Sequence, residues 1–148
     1  MYLYDWIKRL FSLLLLLGLF SSVQAATDCS AVTEIPVSEC ETLLELYNST
    51  DGENWDNSSD WNITNTPCSW YGVDCGGGNQ VIALRLPANG LKGNITDLSA
   101  LQNMWSLQLS QNRLTGNIAW LSQLTNLQSV ELQENREHID NSWCSSSH

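Results

Sequence analysis

The pattern of apolar and polar positions between Val81 and Asn135 repeats itself every 23 residues. When this segment is shifted by that interval, leucine or valine falls on leucine and asparagine falls on asparagine. The recurring sets are Leu84, Leu107 and Val130; Leu86, Leu109 and Leu132; and Asn89, Asn112 and Asn135. A fixed period of this length with an L-x-x-L-x-L-x-x-N core predicts a leucine-rich repeat, in which alternate leucines of a short strand point inward.

Four apolar residues ahead of the repeats recur at the spacing of one helix face. They are Cys40, Leu43, Leu44 and Tyr47. The pattern predicts a helix over residues 39–47 that is capped by Ser38, with Glu41 completing a capping box. Gly52 is the predicted left-handed residue that ends this segment.

Residues 53–67 show no regular period and predict an ordered loop. Trp55 and Trp61 lie among polar neighbours, and we interpret them as packing anchors because a small cap must bury large rings to hold together. Four carboxylates occur nearby: Asp51, Glu53, Asp56 and Asp60. Their spacing does not fit an EF-hand, so calcium binding is not expected.

The first 25 residues have the pattern of a secretory leader. Lys8 and Arg9 precede an apolar run over 10–20, and small residues precede a predicted cleavage after Ala25. The apolar run is shorter than the roughly 20 residues that span a bilayer. The sequence therefore predicts export to the cell surface or the medium, or to the periplasm in a bacterial host, with no membrane span after cleavage.

Charge argues against two classes of partner. After cleavage, four basic residues face fifteen acidic ones, so the net charge is −11. Nucleic acid and anionic membrane surfaces both require a basic footprint, and neither is expected as a partner.

All five cysteines follow the leader: Cys29, Cys40, Cys68, Cys75 and Cys144. Disulfides are expected in an exported chain. Cys68 with Cys75 is the favoured pair, and closing that loop is worth about 2–3 kcal/mol in the chain-entropy model. Cys29 with Cys40 is the next natural pair, but spacing does not fix the connectivity and Cys144 is left over. Zinc is not expected, because no C-x-x-C occurs and the two histidines lie in the tail.

The segments ECETLLELYNSTDGENW and PCSWYGVDC resemble the N-terminal cap of plant-type leucine-rich-repeat proteins, which also occurs in exported bacterial proteins. This family includes ectodomains of plant receptor kinases and polygalacturonase-inhibiting proteins. The resemblance covers about residues 35–135. It implies an α/β solenoid, that is, a short right-handed superhelix with a helical, disulfide-stapled cap in which Cys68 pairs with Cys75 and Trp70 and Val73 face the first coil. Such a cap covers the apolar end of the repeats.

The resulting domain layout has four parts: leader 1–25, cap 26–80, repeats 81–135, and an irregular tail or truncated cap 136–148. The resemblance implies that the asparagine after each strand bonds backbone groups of the turn. Two features depart from the plant-type pattern. Thr96 and Ala119 replace the usual proline, and the period is 23 rather than 24. The part of each coil that leads back to the next strand should therefore be slightly shorter. The sequence does not decide whether the second sheet of plant-type coils is present.

Residues between the leucines are expected to form solvent-facing columns on the concave side, about 4.8 Å apart. The columns are Arg85, Gln108 and Glu131; Ala83, Ser106 and Ser129; and Pro87, Ser110 and Gln133. By the resemblance, these residues other than Ala83 are candidate partner-binding residues; the alternative is a solvated face. Three rungs span roughly 15 Å, which is short for a standard interface of about 800 Å² per partner. The cap, the loops, self-association or further repeats would have to contribute.

No catalytic constellation can be identified in the sequence. There is no nucleophile with a nearby base, no phosphate loop, and no carboxylate pair around a cleft. We therefore expect no cofactor and no enzyme. Four N-x-S/T triplets begin at Asn48, Asn57, Asn62 and Asn94 and matter in a host that glycosylates exported proteins.

The predicted function is that of a secreted, non-catalytic protein-interaction module. One alternative is a structural surface protein or a fragment of a longer receptor or adhesin. Another, which rests on the resemblance alone, is an inhibitor of a secreted hydrolase. Carbohydrate binding and self-association stay open, and Trp105 and Trp120 are the aromatic side chains to consider for a sugar.

Overall fold

The computed structural model describes residues 26–135. The predicted leader, the predicted tail and Cys144 lie outside the described residues. Within this part, no helix is long and apolar enough to cross a bilayer.

Helix α1 spans Val37–Ser49, two residues longer at each end than the sequence pattern predicts. The predicted capping box is wrong: the N-cap residue is Pro36, it makes no side-chain capping bond, and Ser38 already lies inside the helix. Proline replaces the capping hydroxyl because its fixed φ, here −58°, suits the entry into a helix.

The residue in the left-handed conformation after helix α1 is Asp51, with φ 63°, and not Gly52. Gly52 has a different role, because a Cβ at that position would collide with the ring of Tyr47. Glycine is therefore required here by close packing rather than by the turn.

Two sheets organise the rest of the chain. The strands are β1 Val73–Gly76, β2 Gln80–Arg85, β3 Lys92–Asn94, β4 Ser106–Gln108, β5 Arg113–Thr115 and β6 Ser129–Glu131. The four-stranded sheet has the order β1-β2-β4-β6 and the second sheet pairs β3 with β5. Strands β2, β4 and β6 are parallel, and Leu84 lies opposite Leu107, which lies opposite Val130. This register equals the 23-residue period of the sequence.

Strand β1 was not predicted. It belongs to the cap and pairs antiparallel with β2, so that Gly76 lies opposite Gln80. The glycine run after it is the turn of a hairpin. The cap thus adds a fourth strand to the sheet of the repeats.

The second sheet, which the sequence left open, is present although Thr96 and Ala119 replace proline. Its bends use Gly93 and Gly116, with φ of 137° and 115°, which side-chain-bearing residues rarely adopt. A Cβ at Gly93 would also collide with the carbonyl oxygen of Ser49. The glycines therefore suffice for the bend without proline.

The core of the first two coils is fully buried. The leucines with no exposed surface are Leu84, Leu86, Leu91, Leu98, Leu101, Leu107, Leu109 and Leu114. Their counterparts Val130 and Leu132 in the third coil are only partly buried. Burial of the repeated leucines thus declines at β6.

The cap has its own aromatic core. Tyr47, Trp55, Trp61 and Trp70 form a chain of ring contacts with centroid separations of 4.9 to 6.1 Å. The indole N–H of Trp55 donates to Thr50 O, that of Trp61 to Tyr71 O, and that of Trp70 to Thr64 Oγ1. Trp55 and Trp61 are 6% and 0% exposed, which confirms that they are packing anchors.

Both favoured disulfides are present. Cys29 is bonded to Cys40 and Cys68 to Cys75, with sequence separations of 11 and 7. The first ties the N-terminal segment to helix α1. The second ties the turn before β1 to that strand.

An asparagine ladder links each coil to the one before it. The side chain of Asn112 accepts hydrogen bonds from the N–H groups of Asn89 and Leu91, both at 3.0 Å. Its Nδ2 donates to the carbonyls of Leu86, Leu109 and Ser110. Asn112 therefore serves the turns of two coils at once, the structural role that the resemblance implied.

The first and last asparagines of the ladder also bond backbone groups of the preceding segment. Asn135 Oδ1 accepts from Leu114 N–H and its Nδ2 donates to Leu109 O. Asn89 reaches back to the cap, accepting from Asn57 N–H at 2.7 Å and donating to Asn57 O at 2.9 Å. The cap is thus joined to the repeats by the same type of bond that joins the repeats to each other.

Glu39 makes a second joint between the cap and the first coil. Its side chain is buried, and the carboxylate accepts a hydrogen bond from Val81 N–H at 2.7 Å. Burial raises the pKa of Glu39, and the Val81 hydrogen bond opposes this by a smaller amount. A buried carboxylate thus satisfies the backbone at the beginning of the repeats.

Replacing the central asparagine should unravel the ladder. We expect Asn112→Ala to lower the free energy of unfolding by about 3 kcal/mol or more, because two buried N–H groups lose their acceptor and each costs about 1–3 kcal/mol. Urea unfolding followed by circular dichroism measures the change. Asn103→Ala, at an exposed position, is the control and should change stability by less than about 0.5 kcal/mol. Equal effects in the two variants would contradict the role assigned to the ladder.

The raised pKa of Glu39 predicts a pH-dependent difference between the wild type and Glu39→Gln. A carboxyl group whose pKa is raised by folding favours the folded state below its unfolded pKa, and that contribution is lost as pH rises through the folded value. Wild type should therefore lose stability relative to Glu39→Gln as pH rises from 4 towards neutrality, since the amide keeps an acceptor for Val81 and carries no charge.

Urea unfolding at stepped pH values measures this difference. The matched control is Glu41→Gln, an exposed position on the same helix. A Glu39→Gln profile that runs parallel to the wild-type profile would show that Glu39 does not titrate with folding.

Candidate functional site

The four-stranded sheet presents a face on which side chains from the cap and from the repeats meet. Asp74 on β1 lies opposite Ala83 on β2, so it shares this face with Arg85. The Arg85 guanidinium forms a salt bridge with Asp74 and lies over the indole of Trp105, 5.6 Å from the ring centroid. We call Asp74, Arg85 and Trp105 the face cluster.

The face cluster positions side chains rather than stabilising the fold. The Arg85 and Asp74 side chains are 37% and 46% exposed. A surface ion pair of this kind contributes about 0–1 kcal/mol. Its effect is to keep the guanidinium within cation–π distance of an aromatic ring.

Trp105 is 40% exposed and is the sole exposed large apolar side chain within the described repeats, residues 81–135. Its backbone is fixed on both sides. The N–H donates to Ile82 O at 2.8 Å, and the carbonyl accepts from the N–H groups of Gln128 and Ser129. Tryptophan is among the residue types most enriched at the energetic centre of protein interfaces.

Two amide–carboxylate pairs join neighbouring coils, one between strands β4 and β6 and the other between the turns that follow these strands. Gln108 Nε2 donates to Glu131 Oε1 at 3.3 Å, and Gln111 Nε2 donates to Glu134 Oε2 at 3.0 Å. Each pair joins equivalent positions of neighbouring coils. Because the amides are neutral, neither pair cancels the carboxylate charge.

The structure places some of the predicted site residues on the exposed face and buries others. Arg85, Gln108, Ser129 and Glu131 are partly exposed on the face, and Pro87 and Gln133 are exposed. The expectation that Ser106, Ser110 and Ala83 face solvent is wrong, since they are 1%, 5% and 0% exposed. Small side chains between parallel strands are covered by longer neighbours. The partner-binding role of the remaining residues stays a prediction.

Sequence reasoning missed two components of this site. Asp74 was missed because strand β1 was not predicted, and nothing in the sequence places the cap on the concave sheet. Trp105 was noted as an aromatic residue but was not assigned to the face, although it stands immediately before the strand position of Ser106. Trp120, the other tryptophan considered for sugar binding, is 7% exposed and donates to Asn117 O, so it belongs to the core.

An open polar pocket of about 510 Å³ lies beside the turns that follow the strands. It is lined by Asn54, Asp56, Ala88, Gly90, Gln111, Asn112, Arg113 and Glu134. The pocket combines cap-loop residues with the turns of two later coils, so linear spacing could not predict it. Among the described residues, no group of three or more histidines, cysteines or carboxylates is placed to hold a metal ion.

Comparison with known proteins identifies related structures. Residues 38–76 match the family described as the leucine rich repeat N-terminal domain. The structure of PEPR1–AtPEP1 is similar at 29% identity over 66% of this chain and 14% of that chain, with a TM-score of 0.56. The Arabidopsis HAESA ectodomain, in complex with an N-terminally extended IDA peptide hormone, is 27% identical over 66% of this chain and 17% of that chain, with a TM-score of 0.56.

The BIR2 ectodomain from Arabidopsis thaliana is 34% identical over 71% of this chain and 56% of that chain, with a TM-score of 0.55. The present chain therefore spans between 14% and 56% of the length of these three chains. The similarity therefore covers only part of each of these longer chains.

The hydroxyl of Ser106 is buried and has no hydrogen-bond partner among the described residues. We expect Ser106→Ala to leave stability unchanged or to raise it by about 1 kcal/mol, because the substitution removes an unpaired polar group. Thr50→Val is the comparison variant, since the buried Thr50 hydroxyl donates to Leu46 O. Loss of that bond should lower the free energy of unfolding by about 1 kcal/mol. Urea unfolding of both variants tests the pair. A loss in Ser106→Ala as large as that in Thr50→Val would show that Ser106 has a partner in solution.

Proposed function

Because the chain is a plant-type leucine-rich-repeat protein with an N-terminal cap, we propose that it is an exported, non-catalytic module that binds a protein or peptide partner on its concave face. The observation that carries this proposal is the face cluster, in which the Asp74–Arg85 ion pair lies beside an exposed Trp105 on the sheet. Aromatic and arginine anchors dominate the binding energy of protein interfaces. The contact residues are the face cluster together with Gln108 and Glu131, flanked by Pro87, Ser129 and Gln133.

The related structures support the class of partner. The PEPR1 structure is of PEPR1 with AtPEP1, and the HAESA ectodomain was solved with a peptide hormone. Two disulfides in the described part support a location outside the cytoplasm. The same proposal includes the leader 1–25 and the tail 136–148. It also includes the boundaries of the cap and the repeats and the right-handed sense of the superhelix.

A second candidate function follows from the length relation. The chain spans only part of its structural relatives, and Val130 and Leu132 are less buried than their counterparts in earlier coils. In this alternative, further repeats complete the binding surface of a longer receptor or adhesin. Inhibition of a secreted hydrolase rests on the family resemblance and has no additional support from the geometry of the face.

Binding should depend on the face cluster. Using the exported chain as bait against proteins secreted by its host, we expect Trp105→Ala, Arg85→Glu and Glu131→Arg each to reduce capture of one identified partner at least tenfold, the effect of losing about 1.4 kcal/mol of binding energy. Capture is quantified by mass spectrometry of the eluted partner.

The control is Lys92→Glu, which also reverses a charge at an exposed position but lies on the second sheet. Each variant is first shown to have the wild-type unfolding midpoint. Equal capture by the wild type and all three face variants would exclude the concave face as the binding surface.

A further inference from the structure

We propose that the open polar pocket beside the turns binds a small zwitterion, namely a free α-amino acid with a polar side chain. The site goes beyond the proposed function, because its lining includes none of the contact residues assigned to the concave face. Its volume of about 510 Å³ lies within the range of about 300–1,000 Å³ that is usual for small-molecule sites.

The pocket exists because the first coil has small residues where the following coil has long side chains. Ala88, Gln111 and Glu134 recur at the 23-residue period, and all three are left-handed, with φ of 48°, 58° and 59°. Gly90 and Arg113 are also one period apart. Strand β2 of the first coil lies between β1 of the cap and β4 of the second coil. The alanine and the glycine therefore leave a gap between the cap loop and the second coil.

Asp56 and Arg113 bring opposite charges to this gap from its two sides. The Asp56 N–H donates to Asn89 O at 3.0 Å, and the Arg113 N–H donates to Leu91 O at 2.8 Å. These two carbonyls flank Gly90, and a Cβ on that glycine would lie 3.4 Å from Asp56 Oδ2. A carboxylate of the cap loop and a guanidinium of the second coil thus line one cavity with a glycine between them.

The two charged groups do not neutralise each other. Among residues 26–135, neither Asp56 nor Arg113 takes part in a salt bridge. A guanidinium binds a carboxylate through two parallel hydrogen bonds, and a carboxylate accepts the hydrogen bonds of an ammonium group. A ligand that carries both an ammonium and a carboxylate therefore supplies a partner to each side of the pocket. The amides of Asn54 and Gln111, which also line the pocket, suit a polar side chain on that ligand.

The lining disfavours other classes of small ligand. A phosphate would meet the carboxylates of Asp56 and Glu134 as well as the guanidinium, and a polyamine would meet the guanidinium. A neutral sugar would leave both charges without an ionic partner. Ala88 has the one apolar side chain among the described lining residues, so an apolar ligand would desolvate charged groups without compensation.

The test is to titrate nitrogen-15-labelled protein with L-serine, L-threonine, L-asparagine and L-glutamine and to follow the NMR chemical shifts. The buffer contains no amine and no carboxylate. We expect at least one of the four to bind and to shift the pocket residues. Its N-acetyl derivative, which lacks the ammonium, and its amide, which lacks the carboxylate, should each bind about tenfold more weakly, the effect of losing about 1.4 kcal/mol.

Paired variants connect each ligand group to its side of the pocket. Asp56→Asn should bind the amino acid and its N-acetyl derivative equally, and Arg113→Gln should bind the amino acid and its amide equally. Glu53→Gln and Lys92→Gln are the matched controls. They remove the same charges at exposed positions of the same loop and the neighbouring strand, outside the pocket lining. Both controls should bind as the wild type does.

Ala88→Gln tests the cavity itself. Gln111 has the same side chain in the same left-handed conformation one coil later, so the fold accommodates this substitution. The new side chain should fill the gap and abolish binding, whereas Ala88→Gly keeps the gap open and should bind normally. Trp105→Ala, on the concave face, should also bind normally, which separates this site from the proposed protein-binding surface.

Three outcomes would overturn the inference. The first is the absence of binding by all four amino acids at about 10 mM, ten times the concentration that corresponds to about −4 kcal/mol. The second is binding that both charge-deleted derivatives reproduce. The third is unchanged binding in Ala88→Gln. Each leaves the proposed recognition of a protein on the concave face untouched, because that proposal rests on other residues.

Discussion

The structure depends on the pairing of backbone groups inside the turns of its coils. A coil of 23 residues must turn several times within a narrow cross-section, and its buried N–H and carbonyl groups cannot reach water. Asparagine solves this problem because its amide both donates and accepts. The Asn112 side chain makes five hydrogen bonds, and these bonds link two coils. The leucines provide the burial energy, and the asparagines satisfy the backbone groups of the turns between one coil and the next.

The same constraint explains the design of the cap. The first coil has no preceding coil, so the cap supplies what a coil would have supplied. Asn57 occupies the bonding position behind Asn89, Glu39 satisfies Val81, and β1 completes the edge of β2. The cost is a buried carboxylate with a raised pKa. Through β1 the cap also places Asp74 on the concave face, where it fixes the orientation of Arg85. The strand that caps the first coil therefore also contributes a residue to the candidate site.

How far the sequence could predict this structure depends on the distance between interacting residues. The period predicted the strand register and the buried leucines, since both recur in every coil, and the family resemblance implied the role of the asparagines. The pairs Cys29–Cys40 and Cys68–Cys75 were favoured by proximity. Strand β1 and the face cluster could not be predicted, because they depend on how the cap packs against the repeats. Exposure of Ser106 was misjudged because alternation along a strand says which way a residue points, not how much its neighbours cover it.

The size of the concave face need not prevent specific recognition. Three rungs alone offer little area, but β1 adds a fourth strand, about 4.8 Å further, and the face cluster concentrates rigid, aromatic and charged groups near its middle. Affinity follows the quality of a few desolvated anchors more closely than total area. The backbone of Trp105 is bonded to both neighbouring coils, and the Arg85 side chain is paired with Asp74. On the proposed function, a short solenoid of this kind needs a few well-placed anchors more than a broad contact area.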